Sequence, residues 1–196
     1  MLSWWADHWG EVVGFVTGFA CVLLAARRNI LNFPIGIANN IVFIVLFVST
    51  GLYANATLQA VFLVIGVHGW LNWHAARLAP TFTLRTPRRA VVPLVVAAVA
   101  IAAIIYALLR WQGGSVQPLA DATTTAVSLT AQYMLNRRWL ENWLVWIGVD
   151  IAYIGLYLAT GLPIVALLYV VFIGLCVQGF RGWRADLPRT SEVGAS

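Results

Sequence analysis

Apolar residues run along this chain in long blocks separated by short polar breaks. The hydrocarbon core of a bilayer is about 30 Å thick, and about 20 helical residues cross it. Seven blocks have that length: residues 9–26, 30–49, 54–75, 90–110, 118–136, 142–159 and 162–182. In lipid every backbone amide must be satisfied within its own segment, so each block is expected to be a transmembrane helix. Between them "LAPTFTLRTPRR" (78–89) reads as a polar linker, and "QGGSVQPLA" (112–120) as a loop marked by Gly and Pro. The tail at 187–196 has no apolar block and is expected to be disordered.

Composition agrees with the pattern. The 196 residues are 61% hydrophobic and only 10% charged, too little charge to cover a soluble domain of this size. All twelve basic residues are arginine, which excludes a retinal protein, since its Schiff base needs a lysine. The net charge of +5 does not imply nucleic acid, because the arginines gather at helix ends. Arg27 and Arg28 follow the first block; Arg77, Arg85, Arg88 and Arg89 separate the third from the fourth. Arg137 and Arg138 follow the fifth, Arg181, Arg184 and Arg189 lie at the end of the seventh, and Arg110 stands alone on the other side. By the positive-inside rule the amino terminus is outside and the carboxyl terminus cytoplasmic. The start "MLSWWADHWGE" has no basic n-region, so a cleaved signal peptide is not expected. Cys21 and Cys176 sit in apolar runs and read as small hydrophobes.

The polar and glycine positions also recur. Shifted by 110 residues, 27–75 aligns with 137–185 without a gap, and 18 of the 49 positions are identical. Arg27-Arg28 falls on Arg137-Arg138, Asn32 on Asn142, Gly69 on Gly179 and Trp73 on Trp183. The repeat unit is three helices, with the fourth block between two copies, so the copies enter the membrane in the same orientation. The implied architecture is all-α and integral to the membrane, with seven helices in a 3+1+3 arrangement of parallel repeats. Its parts are a first repeat at 1–77, a linker, fourth helix and loop at 78–117, a second repeat at 118–186, and the tail. Transporters of this kind hold substrate between their repeats near the midplane.

Several polar residues stand where lipid should exclude them. Asn40 lies twelve residues past Arg28, about 18 Å at the helical rise, and Asp150 is its repeat mate at the same depth. A carboxylate there costs roughly 2.5 kcal/mol or more and is expected to face a cavity or a partner. Gln59 pairs with Tyr169, and His68 with Gln178; Glu11 and Asp121 correspond nearer the outer edge. Of ten tryptophans, Trp4, Trp5, Trp9 and Trp111 fit an outer aromatic belt. Trp70, Trp73, Trp143, Trp146 and Trp183 lie towards the cytoplasmic side, where a belt accounts for several. Asn142, Trp146 and Asp150 share one helix face at spacings of four. Amide, indole and carboxylate on one face suit a flat, polar, cationic ring. No metal-ligand spacing is present, and no cofactor is called for.

The stretches "NFPIGIANNIVF", "LYANATLQAVFLVIGVHGWLNW" and "LTAQYMLNRRWLENWLVWIGVDIAYIGLYLATGL" resemble the PnuC family of bacterial vitamin transporters, from about residue 10 to 184. The resemblance implies a fold like that of full-length SWEET transporters, the bacterial inner membrane and a homotrimer. It implies facilitated diffusion of nicotinamide riboside, trapped inside by a separate kinase. It carries over Asn142 and Trp146 from "NW..W", Trp70 and Trp73 from "GW..W", and Gln59 from "LQ..F"; Asn40, Asp150 and Tyr169 come from depth and repeat symmetry. Trp146 would stack on the ring, Gln59 and Asn142 would bond carboxamide or ribose hydroxyls, and Asp150 would balance the pyridinium. The family also holds thiamine and riboflavin importers; thiamine is cationic too, riboflavin larger and neutral. A receptor or structural bundle is the alternative from another class. An enzyme would need a nucleophile with a base, or a metal cluster, and the sequence offers neither.

Overall fold

The computed structural model describes residues 13, 16–49, 51, 53–79, 81–112, 117–161 and 163–187. Trp4, Trp5, Trp9, Glu11, the loop at 113–116 and the tail beyond 187 lie outside the described residues. Those described form seven helices: α1 (Val16–Ala26), α2 (Asn32–Ser49), α3 (Tyr53–Ala75), α4 (Arg88–Gln112), α5 (Pro118–Asn136), α6 (Asn142–Ala159) and α7 (Pro163–Ala185). Asn32–Ser49, Arg88–Gln112, Asn142–Ala159 and Val165–Ala185 are long and apolar enough to cross a membrane by composition alone. Seven spans were expected by block length; α1 is described only over Val16–Ala26, too short to be counted. α3 and α5 fall short on hydropathy because they carry Gln59, His68 and Asn72, and Asp121, Gln132 and a run of threonines.

The chain divides into two compact units, Met1–Arg77 and Leu78–Ser196. In the first, α2 packs along α3, and the Thr17 hydroxyl lies 3.0 Å from the Asn39 side-chain oxygen, joining α1 to α2. Gly36 faces Cys21 of α1, and a Cβ there would stand in ordinary contact with Cys21 Sγ, 3.6 Å away. In the second unit α4 packs on α5, α5 on α6, and α6 on α7. α5 is the most enclosed of these, burying Ala122, Thr124, Ala126, Ser128 and Ala131 among others; its small residues admit close neighbours. No residue of α4 is buried within the chain.

The repeat read from sequence recurs in the backbone. α2 and α6 begin at Asn32 and Asn142 and run 18 residues each; α3 and α7 run 23 each. The turn after α1 places Arg28 at φ 57°, and the turn after α5 places Arg138 at φ 60°. In both, the next amide reaches back five residues, Asn29 N to Leu24 O at 2.8 Å and Trp139 N to Met134 O at 3.0 Å. This is a Schellman ending, with arginine where glycine is usual. Gly51 and Gly161, both at φ 76°, follow α2 and α6 in the left-handed region, their amides bonded to Val48 O and Leu158 O.

Candidate functional site

The polar groups of the second repeat lie on one stripe of α6. With 3.6 residues per turn, Asn142, Trp146, Asp150, Tyr153 and Tyr157 fall within an arc of about 80°. Asp150 is buried, 6% exposed, and the Cys176 thiol of α7 donates to its Oδ2 at 3.7 Å. One turn on, Tyr153 meets Tyr169 of α7, ring centroids 4.9 Å apart and planes 30° off parallel. Tyr157 stacks on Tyr169 at 5.4 Å and 20°, and on Tyr153 at 6.0 Å and 27°. Phe172 closes the group edge-on to Tyr169 at 5.9 Å. A carboxylate beside three ring faces at membrane depth attracts cations twice over, by charge and by the ring quadrupoles.

At the N-terminal end of the same stripe, Asn142 is fully buried and donates through Nδ2 to Trp139 O at 2.6 Å. Among the described residues its Oδ1 has no hydrogen-bond partner, nor has Nε1 of buried Trp143. The Trp143 ring sits edge-on to Trp183 at 5.4 Å and 89°. Its slot exists because position 179 is glycine: an added Cβ would lie 2.7 Å from the indole. Trp146 is half-buried between this end and Asp150.

The first repeat has the same layout with other chemistry. Asn32 Nδ2 donates to Asn29 O at 2.8 Å, as Asn142 does to Trp139. Phe43 and Phe47 stack at 5.7 Å and 28°, in the places of Tyr153 and Tyr157. Asn40 and Gln59 are half-buried. Trp73 is 1% exposed, edge-on to Phe33 at 4.9 Å, whereas Trp70 is 40% exposed. Trp73, Trp143 and Trp183 thus belong to helix packing rather than to an aromatic belt at the lipid surface.

Of the residues singled out by sequence, Asp150 and Tyr169 come together, bridged by Tyr153. Tyr153 and Tyr157 were missed. Their signal was present: they follow Asp150 at three and seven residues and continue its face. Among the described residues no group of three or more His, Cys, Asp or Glu gathers to hold a metal.

Comparison with known proteins adds relatives to this geometry. A family model described as nicotinamide mononucleotide transporter matches residues 8–185. The chain is 24% identical to the nicotinamide riboside transporter PnuC of Escherichia coli, over 89% of this chain and 84% of that one. It is 28% identical to the nicotinamide riboside transporter PnuC of Neisseria mucosa, over 94% and 75%. It is also 26% identical to the riboflavin/roseoflavin transporter RibM of Streptomyces davaonensis, over 94% and 88%. A crystal structure of the vitamin B3 transporter PnuC superposes with a TM-score of 0.68 at 26% identity, covering 92% of this chain and 82% of that one.

Proposed function

Since this chain belongs to the nicotinamide mononucleotide transporter family, and is thus a multi-pass membrane transporter of a vitamin-like molecule and not an enzyme, we propose that its substrate is nicotinamide riboside. Identity alone does not choose: the nicotinamide riboside and riboflavin transporters are similarly distant, at 24% and 26%. The observation that carries the choice is buried Asp150 beside the Tyr153–Tyr157–Tyr169 group. Nicotinamide riboside has a permanent pyridinium charge and a flat ring. Riboflavin is neutral and tricyclic, so a buried carboxylate offers it hydrogen bonds but no charge attraction.

In this reading the pyridinium is drawn to the Asp150 carboxylate and the tyrosine faces, and Trp146 covers the ring. Asn142 Oδ1, unpartnered among the described residues, accepts from the carboxamide or a ribose hydroxyl once helix movement opens its buried position. The first repeat has polar and ring groups of its own to offer a substrate, in half-buried Gln59 and Asn40 and the exposed indole of Trp70. Trp73, buried on Phe33, acts as support for Trp70 one turn away. Transport is facilitated diffusion by alternating access in a SWEET-like arrangement. Phosphorylation by a separate intracellular kinase keeps the gradient inward. The protein works as a homotrimer in the bacterial inner membrane, with its carboxyl terminus in the cytoplasm, as the arginine distribution supports.

The test is uptake into proteoliposomes holding the purified protein alone, without ATP or an ion gradient. Labelled nicotinamide riboside should enter saturably, while thiamine and riboflavin enter at background rates. Riboflavin as the preferred cargo would move the chain to the RibM-like reading. No flux of any of the three would end the proposal.

A further inference from the structure

The linker between α3 and α4 is not a free tether, because residues 82–86 are fastened to the cytoplasmic end of the second repeat. Leu84 N donates to Arg138 O at 2.9 Å and Leu140 N to Leu84 O at 2.8 Å, a short parallel bridge with Trp139. Arg138 Nη1 donates to Phe82 O at 3.1 Å, and its guanidinium lies 5.6 Å from the Phe82 ring centroid. Thr83, fully buried, donates its amide to Asp186 Oδ2 at 3.1 Å. Thr86 donates both its amide and its hydroxyl to Glu141 Oε2, each at 2.7 Å. The Phe82 ring packs edge-on against Trp183 at 5.5 Å. The α5–α6 turn supplies Arg138, Trp139, Leu140 and Glu141; the end of α7 supplies Trp183 and Asp186. The strap therefore joins both ends to one strip of chain. Two of its acceptors are carboxylates, whose hydrogen bonds are the stronger kind.

The first repeat cannot be fastened in this way. Under the 110-residue shift Trp139, Glu141 and Asp186 become Asn29, Leu31 and Ala76. Leu31 and Ala76 offer no carboxylate. Asn29 directs its side-chain oxygen to the Leu31 amide at 2.9 Å. Separating the end of α7 from the α5–α6 turn would break the Thr83–Asp186 hydrogen bond and the Phe82–Trp183 contact, or else strip the other five hydrogen bonds from the turn, whereas the matching ends of α2 and α3 lack both carboxylate acceptors.

We propose that the 82–86 strap is a standing clamp on the cytoplasmic end of the second repeat, and that the cytoplasmic opening movement of transport falls to the α1–α2 turn and the end of α3. The strap then keeps the α6 stripe in register with α7 throughout the cycle. The mobile part is the half of the molecule whose rearrangement breaks fewer contacts.

Two measurements on the full chain in lipid test this. The first is amide hydrogen exchange. The Leu140 amide should exchange at least tenfold more slowly than that of its repeat mate Ile30, and the double change Glu141→Ala with Asp186→Ala should erase the difference. Equal exchange at the two amides in the unaltered protein would overturn the proposal. The second joins strap to turn covalently through Thr86→Cys and Glu141→Cys with a short bismaleimide, and follows uptake of labelled nicotinamide riboside by the cross-linked fraction. Uptake within about twofold of the uncrosslinked double variant is expected. Loss of uptake on cross-linking, with the uncrosslinked form active, would show that the strap must detach and is a gate. Failure of the unaltered chain to take up the compound would instead count against the proposed substrate, leaving the exchange measurement to decide on the clamp.

Discussion

In the first repeat Asn40, Phe43, Phe47 and Gln59 occupy the places that Asp150, Tyr153, Tyr157 and Tyr169 hold in the second. The helices carrying them start and end at matching residues, and the turns share a left-handed arginine at φ 57° and 60°. Phe43–Phe47 and Tyr153–Tyr157 stack at nearly the same angle, 28° and 27°. Stacking in the second repeat therefore does not depend on the hydroxyls, and helix packing does not depend on the carboxylate. What one copy holds with neutral groups, the other holds with an acid and three phenols. The difference teaches which groups are free for chemistry: those that can be replaced in the sister repeat without changing the frame. A buried carboxylate is costly in this setting, so its presence in one repeat only argues that it serves binding.

Removing that difference should have the largest effect. Asp150→Asn makes the second repeat resemble the first, and calorimetry should show nicotinamide riboside binding weakened about a hundredfold, about 2.8 kcal/mol. Thermal unfolding should be little changed, since asparagine stands at position 40. Next comes the frame itself. Gly179→Ala drives a methyl into the Trp143 indole and should cost about 1–3 kcal/mol, read as a lower melting temperature in detergent. Trp146→Ala should weaken binding by about tenfold, or about 1.4 kcal/mol, while the protein stays folded; unchanged affinity would remove this residue from the site. The smallest change converts one aromatic pair into the other. Tyr153→Phe with Tyr157→Phe should keep the melting temperature and lose about 1 kcal/mol of binding, the ordinary scale of a hydrogen bond. A large loss of stability would mean that the hydroxyls hold the helices, and the comparison would fail at that point.

Much of this was legible in the sequence because lipid leaves few options. Block length located all seven helices, and the 110-residue shift found the repeat through Arg, Asn, Gly and Trp, the residues tied to turns and close packing. Asp150 was legible because a carboxylate at that depth needs a reason. Tyr153 and Tyr157 were legible only as the continuation of the Asp150 face and were passed over, since tyrosine in a membrane helix is common. The tryptophans show the limit of pattern reading. Trp73, Trp143 and Trp183 look like belt residues from their position, yet each is buried on an aromatic neighbour. The strap was invisible for another reason. "TFTLRT" alternates only Phe82 and Leu84 with polar residues, too short a run to announce a structured segment, and its order comes from Glu141 and Asp186, distant in sequence.

The measurement closest to the central claim is a structure determined with nicotinamide riboside bound. The account predicts the pyridinium ring within about 6 Å of a tyrosine or tryptophan ring centroid on the α6–α7 face, with Asp150 as its nearest carboxylate. A ligand held only by the first repeat, with Asp150 still closed against Cys176 and touching no part of it, would contradict the account.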